Sequence, residues 1–456
     1  MEPFQKNVLL RLPLADAVWT LFRHVCEESL LAEVFEEHRG TGWEGQLPFA
    51  QLVRLILEAL VEHGGSGRRC FHAAHQDERL AVTSEAVYGK LRRLPVAMSQ
   101  AMLRKGTERL QAVLPSTGSS EVPAWRKGFH VVVIDGKKLK RLPKRLLPLR
   151  GVRGKMLGGK VLAALALDEG FMVAMHASLD GEANDAPLTP GVLEQLDRDE
   201  RPWLVVADRQ FCDLKIPHGI VGKEDHFVIR FSKKMHFYAE KEVLSRDAKG
   251  REVREAHGWL GSPKESRRMY LRQITLVRPG EEDVSLVTDL LDSKEYPAQD
   301  LLDLYLDRWT IERVFQQITE VFRLEKFIGC SPQAAIFQFA LCALLYNLIH
   351  VVRSYIAAAQ NRPARELSSE MVFRDVCDQM RAGSLLLDAE AIAAWCPTQS
   401  EEKVRDRLAR LLAGVWSSLW NKAIKKKKPK PQTQRKVPGN HASAWKLIRE
   451  HQTRGP

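Results

Sequence analysis

Two short apolar runs in the middle of this 456-residue chain each end in an aspartate. The run HVVVI, residues His130–Ile134, precedes Asp135, and WLVVA, residues Trp203–Ala207, precedes Asp208. Continuous apolar runs of this length are typical of strands buried on both faces, as in sheets that carry helices on each side. Because the carboxyl ends of parallel strands meet at one edge of such a sheet, we expect Asp135 and Asp208 to lie close together.

The neighbouring segments complete a strand-rich pattern. Residues 160–167 and 171–177 flank a turn at 168–170 and predict a β-hairpin, and residues 187–196 predict a helix. Residues 226–231, HFVIRF, predict a fifth strand. The resulting order β-β-β-α-β-α-β favours an α/β fold, with a mixed sheet and helices on its faces.

A long amphipathic pattern follows over residues 297–329 and predicts one helix, with Pro297 in its first turn and Gly329 at its end. Its apolar residues recur at helical spacing and are expected to face a core: Leu304, Ile311, Phe315, Ile318 and Phe322. Tyr305, Arg308 and Glu312 share a different stripe, because steps of three and four residues keep helical side chains adjacent. This stripe suggests a metal and phosphate site.

Asp135, Asp208 and Glu312 together form a candidate set of metal ligands. Taken singly, Asp135 fits a turn after a strand, Asp208 fits a helix cap, and Glu312 fits an ordinary helical glutamate. A set of three carboxylates without histidine or cysteine favours Mg²⁺ or Mn²⁺ over zinc. Two such ions can activate a hydroxyl and stabilise the leaving oxygen in phosphodiester displacement.

Positive charge is concentrated in two segments of a chain whose formal net charge is +12. Residues 137–160 contain ten Lys/Arg and no Asp/Glu, and residues 421–456 contain eleven Lys/Arg against Glu450 alone. This distribution points to a polyanionic partner, with nucleic acid before an anionic membrane. The first segment follows Asp135 directly, so Lys137, Lys138 and Lys140 are candidate phosphate contacts. For the C-terminal segment, a solvated tail is an equally good interpretation.

The N-terminal region contains a second candidate DNA contact. Residues 1–123 have helical patterns, and a short basic helix is predicted at 84–93, before Pro95. Its residues Arg92 and Arg93 would be available to read or bind DNA. An ordinary solvated helix is the alternative.

The cysteines and the most apolar segment bound the environment of the chain. Seven scattered cysteines without a C-x-x-C pair fit a reducing cytoplasm and argue against a zinc module. The segment Ala334–Val352 is interrupted by Gln338, Asn347 and His350, so a buried core helix is expected rather than a membrane span. Neither a P-loop nor a G-x-S-x-G nucleophile turn is present in the sequence.

These motifs resemble those of the DDE transposases of bacterial insertion sequences. The resemblance rests on Asp135-Gly136 after VVVI, Asp208-Arg209 after WLVVA, and the block Tyr305-x-x-Arg308-x-x-x-Glu312, and it covers about residues 130–350. The most similar branch is the insertion-sequence-four type, which has a β-strand insertion before the glutamate and a Tyr-Arg-Glu-Lys motif.

The resemblance implies an RNase H-like fold in which Asp135, Asp208 and Glu312 bind two Mg²⁺ (or Mn²⁺) ions and Tyr305 and Arg308 hold a DNA phosphate. It implies cleavage of transposon ends in double-stranded DNA and their joining to a target, with a hairpin intermediate. It also implies a homodimer in the synaptic complex, and a cytoplasmic protein associated with the bacterial nucleoid.

The chain departs from the motif at one position. A lysine is expected seven residues after the glutamate, where this sequence has Thr319. On a continuous helix Arg323 and Lys326 would point roughly in the direction of Glu312, and each is a candidate to supply the missing charge. Trp309 is expected to pack on the core, with stacking on a displaced base as the alternative. A catalytically silent DNA-binding protein derived from a transposase, or an RNase H-like nuclease, are the alternative functions.

The predicted organisation has five parts along the chain: a helical N-terminal DNA-binding domain at 1–123, the first part of the catalytic domain at 124–231, a β-rich insertion at 232–295, the remainder of the catalytic domain at 296–360, and a helical C-terminal region with a basic tail at 361–456.

Overall fold

The computed structural model describes residues 2–115, 122–264, 266–422 and 441–454. The residues 116–121 and the whole lysine run Lys425–Lys430 lie outside these ranges; the sequence PSTGSSEVP at 115–123 is typical of a linker. The described strands are β1 (His130–Lys140), β2 (Lys155–Ala166), β3 (Phe171–Ser178), β4 (Trp203–Ala207), β5 (His226–Arg230), β6 (Phe237–Arg246), β7 (Glu252–Leu260), β8 (Met269–Leu276), β9 (Val284–Thr288) and β10 (His441–Ser443).

The ten described strands form one sheet with the order β10-β2-β1-β4-β5-β9-β8-β7-β6, and β3 also pairs with β2. Strands β1, β4 and β5 are parallel, whereas β1, β2 and β3 pair in antiparallel fashion. This arrangement confirms the mixed sheet and the hairpin expected from the sequence. The β-rich segment predicted at 232–295 forms an antiparallel meander that joins β5 through β9, so it extends the same sheet.

Helices surround this sheet, and residues 1–123 are helical wherever they are described, apart from turns. The α-helices are α1 (Pro3–Leu10), α2 (Pro13–Val25), α3 (Glu28–His38), α4 (Phe49–Val61), α5 (Gly67–Gln76), α6 (Ser84–Arg93), α7 (Val96–Ala112), α8 (Thr189–Leu193), α9 (Lys215–Val221), α10 (Ala298–Asp307), α11 (Trp309–Glu320), α12 (Pro332–Ala359), α13 (Ser369–Leu386), α14 (Ala389–Trp395), α15 (Glu401–Leu412) and α16 (Ala444–Arg454). The helix predicted at 187–196 is shorter than expected, and a 3₁₀ turn at Ala186–Leu188 precedes it.

Alternate residues of the central strands face two separate cores. Val131 and Val133 pack into the larger core, which includes α7, α11 and α12, whereas Val132 and Ile134 pack into a smaller core with α8 and α9. This alternation follows from the two-residue period of a strand. It therefore fixes the sheet face to which any further residue of β1 points.

The sequence pattern predicted one helix over residues 297–329, but this segment forms two helices. Helix α10 ends at Asp307, α11 begins at Trp309, and Arg308 lies between them in a turn whose N–H donates to the Tyr305 carbonyl at 3.1 Å. Helix α11 ends at Glu320, and Arg323 adopts the left-handed backbone region with φ of 68°. The five apolar residues predicted to face a core are nevertheless all buried.

Helix α12 passes through the centre of the larger core. Among the described residues, it is the helix that is long and apolar enough to cross a membrane, but 94% of its most apolar window is buried inside the protein. It contacts α7, α13, α15 and strand β2. The environment is that of the core helix predicted from Gln338, Asn347 and His350, whose polar groups bond internally, as when Asn347 Oδ1 accepts from the Met172 N–H at 2.9 Å.

The segment after the lysine run returns to the sheet. Strand β10 pairs in parallel with β2, with His441 opposite Lys155 and Ser443 opposite Leu157, and α16 follows it. Lys446 on α16 forms ion pairs with Asp180 and Glu182. The interpretation of residues 421–456 as a solvated tail is therefore wrong for residues 441–454, which form a strand and a helix.

Candidate active site

Asp135 and Asp208 occupy equivalent positions on neighbouring parallel strands. The β1–β4 ladder pairs His130 with Trp203 and ends at Val133 opposite Val206, two residues before each aspartate. Parallel neighbours lie about 4.8 Å apart in a sheet. The same register therefore sets the two aspartates side by side at the end of this ladder.

The sequence pattern predicted that strand β1 ends at Asp135, but the strand is longer. It continues to Lys140 because β2 still pairs with it on the other side, where Asp135 lies opposite Ala163. Asp208, by contrast, follows the end of β4 and caps a 3₁₀ turn, with its Oδ1 accepting from the Gln210 N–H at 2.8 Å. The capping interpretation of Asp208 is thus correct for one of its oxygens.

Both aspartates point to the face of the sheet that carries α11. Val133 and Val206 belong to the larger core, and Asp135 and Asp208 follow each of them by two residues, which restores the same face. Helix α11 packs against β1 and presents Glu312 in its first turn, with 40% of the side chain exposed. The three acids are thereby brought to one region by two strands and a helix.

The electrostatics of Asp135 reflect this convergence. Burial is the main reason that the pKa of Asp135 is raised to about 6, and the negative charges of Asp208 and Glu312 contribute to this rise. A hydrogen bond of 2.8 Å from the Gly136 N–H to Oδ1 and the positive charge of Arg308 act in the opposite direction. Three mutually repelling carboxylates, one of them partly withdrawn from water, form a region that a cation would stabilise.

The donor atoms fit hard divalent cations, but the three carboxylates lie too far apart to bind one ion together. The ligands are carboxylate oxygens from Asp135, Asp208 and Glu312, the type that Mg²⁺ and Mn²⁺ prefer. Ligand atoms of these three residues do not all lie within 4.8 Å of one another, a distance met in the described chain by Glu58, His63 and Cys70. The three carboxylates must therefore approach one another more closely to share an ion.

Arg308 lies in the turn between α10 and α11 and is stacked between two aromatic rings. Its guanidinium carbon lies 5.6 Å from the centre of the Tyr305 ring and 4.9 Å from that of Trp309. The Arg308 side chain is 6% exposed, and Nη1 lies 3.2 Å from Oε1 of Glu312. The predicted stripe of Tyr305, Arg308 and Glu312 is therefore contiguous despite the break between the helices.

The sequence favoured packing of Trp309 in the core, but the structure places this side chain at the surface. It is 49% exposed and contacts the Arg308 guanidinium with its ring. A cation–π contact of this kind orients a planar guanidinium that can then bind a phosphate in two-pronged fashion.

The three lysines after Asp135 alternate across β1. Lys137 is half-buried on the α11 side, with Nζ 5.7 Å from the centre of the Phe315 ring, whereas Lys138 and Lys140 are exposed. Burial and the charge of Lys140 lower the pKa of Lys137, while the charges of Glu320 and Asp135 raise it. The ammonium group of Lys137 is therefore within electrostatic range of Asp135.

Arg323 and Lys326 do not lie along the direction of Glu312. The helix on which that expectation depended ends at Glu320, and the chain then turns towards the loop between α4 and α5. The Lys326 Nζ donates to the Gly64 carbonyl at 3.3 Å, and Cβ of Arg323 borders Gly65. The continuous-helix argument for either residue is wrong. Arg92 and Arg93, by contrast, are exposed at the end of α6, in the helix predicted there.

The structure adds two features that sequence reasoning missed. Lys160 Nζ lies 2.6 Å from Asp185 Oδ1 in a buried ion pair, and a Cβ added to Gly136 would lie 2.0 Å from that same oxygen. The backbone beside Asp135 is thus packed against a buried carboxylate, and only glycine fits at position 136. Arg230, at the end of β5, is the second feature. Its place in the strand HFVIRF carried no distinctive signal.

The cluster of Glu58, His63 and Cys70 lies apart from these acids and has a structural explanation. Arg79 binds both Glu58 oxygens, at 2.9 and 3.0 Å, and the Cys70 thiol contacts the Leu55 carbonyl at 3.3 Å. Burial raises the pKa of the Cys70 thiol far above its usual range. A guanidinium on the carboxylate and a protonated buried thiol disfavour a metal there.

A family match was found for the part of the chain that contains these acids. Residues 128–348 match the family described as Transposase DDE domain. The matched segment runs from just before β1 into α12 and includes Asp135, Asp208 and Glu312. No curated protein matches the chain.

Proposed function

We propose that this protein cleaves transposon ends and joins them to target DNA. The premise is that residues 128–348 match the DDE transposase domain and form an RNase H-like mixed sheet. The observation that carries the proposal is the equivalent register of Asp135 and Asp208 on β1 and β4, with Glu312 on the same face. The three acids come from three separate elements, and Arg308 contacts one of them, Glu312, at 3.2 Å. We assign the chain to the insertion-sequence-four-type branch on the block Tyr305, Arg308 and Glu312.

The proposed chemistry is phosphodiester transfer in double-stranded DNA. Two bound Mg²⁺ or Mn²⁺ ions would activate the attacking oxygen and stabilise the charge that develops on the leaving oxygen. Asp135, Asp208 and Glu312 would hold them. Arg308, oriented by Tyr305 and Trp309, would bind a phosphate oxygen at the cleavage point.

The proposed reaction sequence is cut-and-paste transposition through a hairpin at the transposon end. A water molecule would cleave one strand, and the freed 3′ hydroxyl would attack the opposite strand. The hairpin would then be reopened before the 3′ end attacks the target. We further propose a homodimer that pairs two ends, acting in the cytoplasm at the bacterial nucleoid.

The helical regions would serve DNA binding around this centre. We propose that residues 1–123 form the N-terminal DNA-binding domain, with Arg92 and Arg93 of α6 facing DNA. The catalytic domain would comprise 124–231 and 296–360, interrupted by the β-rich insertion at 232–295. The C-terminal region at 361–456 would add the basic tail.

Lys137 supports an active enzyme over a silent DNA-binding derivative. Thr319 replaces the lysine of the motif, and its hydroxyl donates to the Phe315 carbonyl at 2.7 Å. Lys137 reaches the same turn of α11 from β1 and lies over the Phe315 ring. A positive charge is therefore present near position 319 although that position lacks one.

The test is cleavage of DNA that contains the boundary of the element, with Mg²⁺, by the wild-type protein and by Glu312→Gln. Metal-dependent nicking at a fixed end position in the wild type, lost in Glu312→Gln, is the expected result. Glu320→Gln, an exposed glutamate of the same helix, serves as the matched control. Binding without cleavage by the wild type would refute the enzyme and favour the silent, end-recognising derivative.

A further inference from the structure

A cationic groove opens next to Asp208, on the flank of the sheet opposite the basic segment 137–160. We call it the β5 groove. It has a volume of about 360 Å³, and its charged lining residues are Arg209, Arg230, Lys233, Lys234, Glu282 and Asp283. Four cations thus face two carboxylates, and one of these, Asp283, already caps a turn by accepting from the Arg278 N–H at 2.9 Å.

Arg230 continues the row of the two aspartates across the sheet. The β4–β5 ladder pairs Val206 with Val228, two residues before Asp208 and Arg230 respectively. Val228 packs into the larger core, so Arg230 points to the same face as Asp208. Burial raises the pKa of Tyr305, and the charges of Arg308 and Arg230 lower it, so Arg230 also lies within electrostatic range of Tyr305.

One carboxylate gathers most of the groove's positive charge. Glu282 lies 3.0 Å from Arg230, 3.7 Å from Arg209 and 3.8 Å from Lys233, measured between the charged atoms. These cations come from the end of one strand and from two loops, and their arrangement around a single carboxylate is one that suits a phosphate oxygen. Arg230 is the most buried of the three cations, with 23% of its side chain exposed.

We infer that the β5 groove is a binding site for a backbone phosphate of the DNA strand that passes beyond Asp208, and that Glu282 takes the place of that phosphate in the DNA-free protein. The inference rests on the proposed function for the identity of the polyanion. It adds a second backbone contact on the flank away from residues 137–160, so the DNA would be held on both sides of the three acids.

Arg230 would be the principal ligand. Its guanidinium can bind two oxygens of one phosphate, and its backbone is held by pairing with Leu286 of β9. Arg209, Lys233 and Lys234 would contribute charge from more exposed positions. Glu282 would have to move aside, so its carboxylate would weaken DNA binding in the wild-type protein.

The experiment measures the affinity of the full chain for a short mixed-sequence DNA duplex in EDTA, over a series of salt concentrations. Arg230→Gln is expected to weaken binding about fivefold to tenfold and to reduce the salt slope by about 1. Glu282→Gln is expected to tighten binding by a similar factor, because it frees the cations. Asp378→Asn, which removes one exposed carboxylate paired with Arg381 on α13, is the control for net charge alone.

The position of the contact can be tested with DNA that carries one neutral methylphosphonate at successive positions. At one position the modification is expected to weaken binding by the wild type but not by Arg230→Gln. Thermal unfolding of each variant separates lost binding from lost folding. If Glu282→Gln changes affinity no more than Asp378→Asn does, and Arg230→Gln binds as the wild type does, the inference is wrong.

These measurements are independent of strand cleavage, because they are made without metal. Cleavage by the wild type together with unchanged affinity in both groove variants would leave the proposed function intact and overturn the groove. Absence of cleavage together with the expected opposite shifts would support the groove and overturn the enzyme.

Discussion

At Asp135, burial and two neighbouring carboxylates disfavour the charged form. The pKa of this carboxyl is raised from 3.8 to about 6, so the folded metal-free protein binds a proton there more tightly than the unfolded chain does. The stabilising contribution is fully present below the unfolded value and is lost as the pH rises through about 6. At neutral pH the ionised side chain therefore costs stability until a cation neutralises it.

We expect Asp135→Asn to raise the free energy of unfolding of the metal-free protein at neutral pH by on the order of 2 kcal/mol. Urea unfolding in EDTA measures the change, and the gain should shrink in acid, where wild-type Asp135 is protonated. Added Mg²⁺ should stabilise the wild type and have a smaller effect on Asp135→Asn. A variant that is less stable than the wild type in EDTA at neutral pH would contradict this account.

Gly136 is constrained by space. Because an alanine Cβ would meet the Asp185 carboxylate, we expect Gly136→Ala to destabilise the protein by about 1–3 kcal/mol and to abolish strand cleavage. The matched control is Gly128→Ala in the turn before β1, where a Cβ meets nothing within 4 Å. Calorimetric unfolding and the cleavage assay check both changes. Equal behaviour of the two variants would show that Asp185 yields readily.

Sequence patterns singled out the three acids because each belongs to a regular pattern of residues. Asp135 and Asp208 end apolar runs, and Glu312 shares a helical stripe with Arg308. Asp185 lies in an irregular loop and Arg230 is a lone cation at a strand end, so neither produces a periodic signal. Their positions depend on strand order and packing between distant segments, which one sequence does not express.

At the level of elements, β1 and α11 meet through Lys137 and Phe315. This contact places an ammonium group one turn before Thr319, in a region that the charges of Asp135 and Glu320 make favourable for a cation. Strand and helix thus share the task of carrying positive charge near the acids.

We expect Lys137→Ala to lower DNA affinity and strand cleavage about tenfold, and Thr319→Lys to restore part of the loss when added to it. Lys127→Ala, at an exposed lysine before β1, controls for net charge. Affinity in EDTA and cleavage with Mg²⁺ are measured for the single and double variants. If Thr319→Lys restores neither affinity nor cleavage when it is added to Lys137→Ala, the two positions do not serve the same phosphate.

The break between α10 and α11 shows the limit of periodicity. Leu304 and Ile311 keep their buried face on either side of Arg308, because a single tightened turn barely shifts the helical phase. The pattern therefore predicts burial correctly while it misses the interruption. The end at Glu320 was missed for a different reason, since Phe322 is buried outside any helix.

For the whole molecule, the mixed sheet was predictable from its central strands, but its extent was not. The alternating runs in 232–295 indicate strands, whereas their union with β5 through β9 depends on pairing between remote segments. The same holds for β10, which is too short to be recognised from a pattern and is far from β2 in the chain.

The lysine run at 425–430 gives a prediction at this scale. Replacing its lysines Lys425, Lys426, Lys427, Lys428 and Lys430 by alanine should weaken DNA binding and reduce its salt dependence, without loss of stability. Anisotropy titrations and thermal unfolding measure the two quantities. Deleting 441–454 instead should lower stability, because β10 and α16 pack on β2. Unchanged binding after the alanine replacements would make the run a solvated segment.

Because strand β10 lies near the C-terminus, the sheet is complete only when the chain has been synthesised past Ser443. A chain that stops short of His441, through a premature stop codon or a frameshift, lacks the strand that covers Lys155–Leu157 and leaves those backbone groups of β2 unpaired. Exposed strand edges promote association between chains. Such fragments would therefore be prone to aggregation or degradation, so a stable protein requires the chain to be synthesised through to β10.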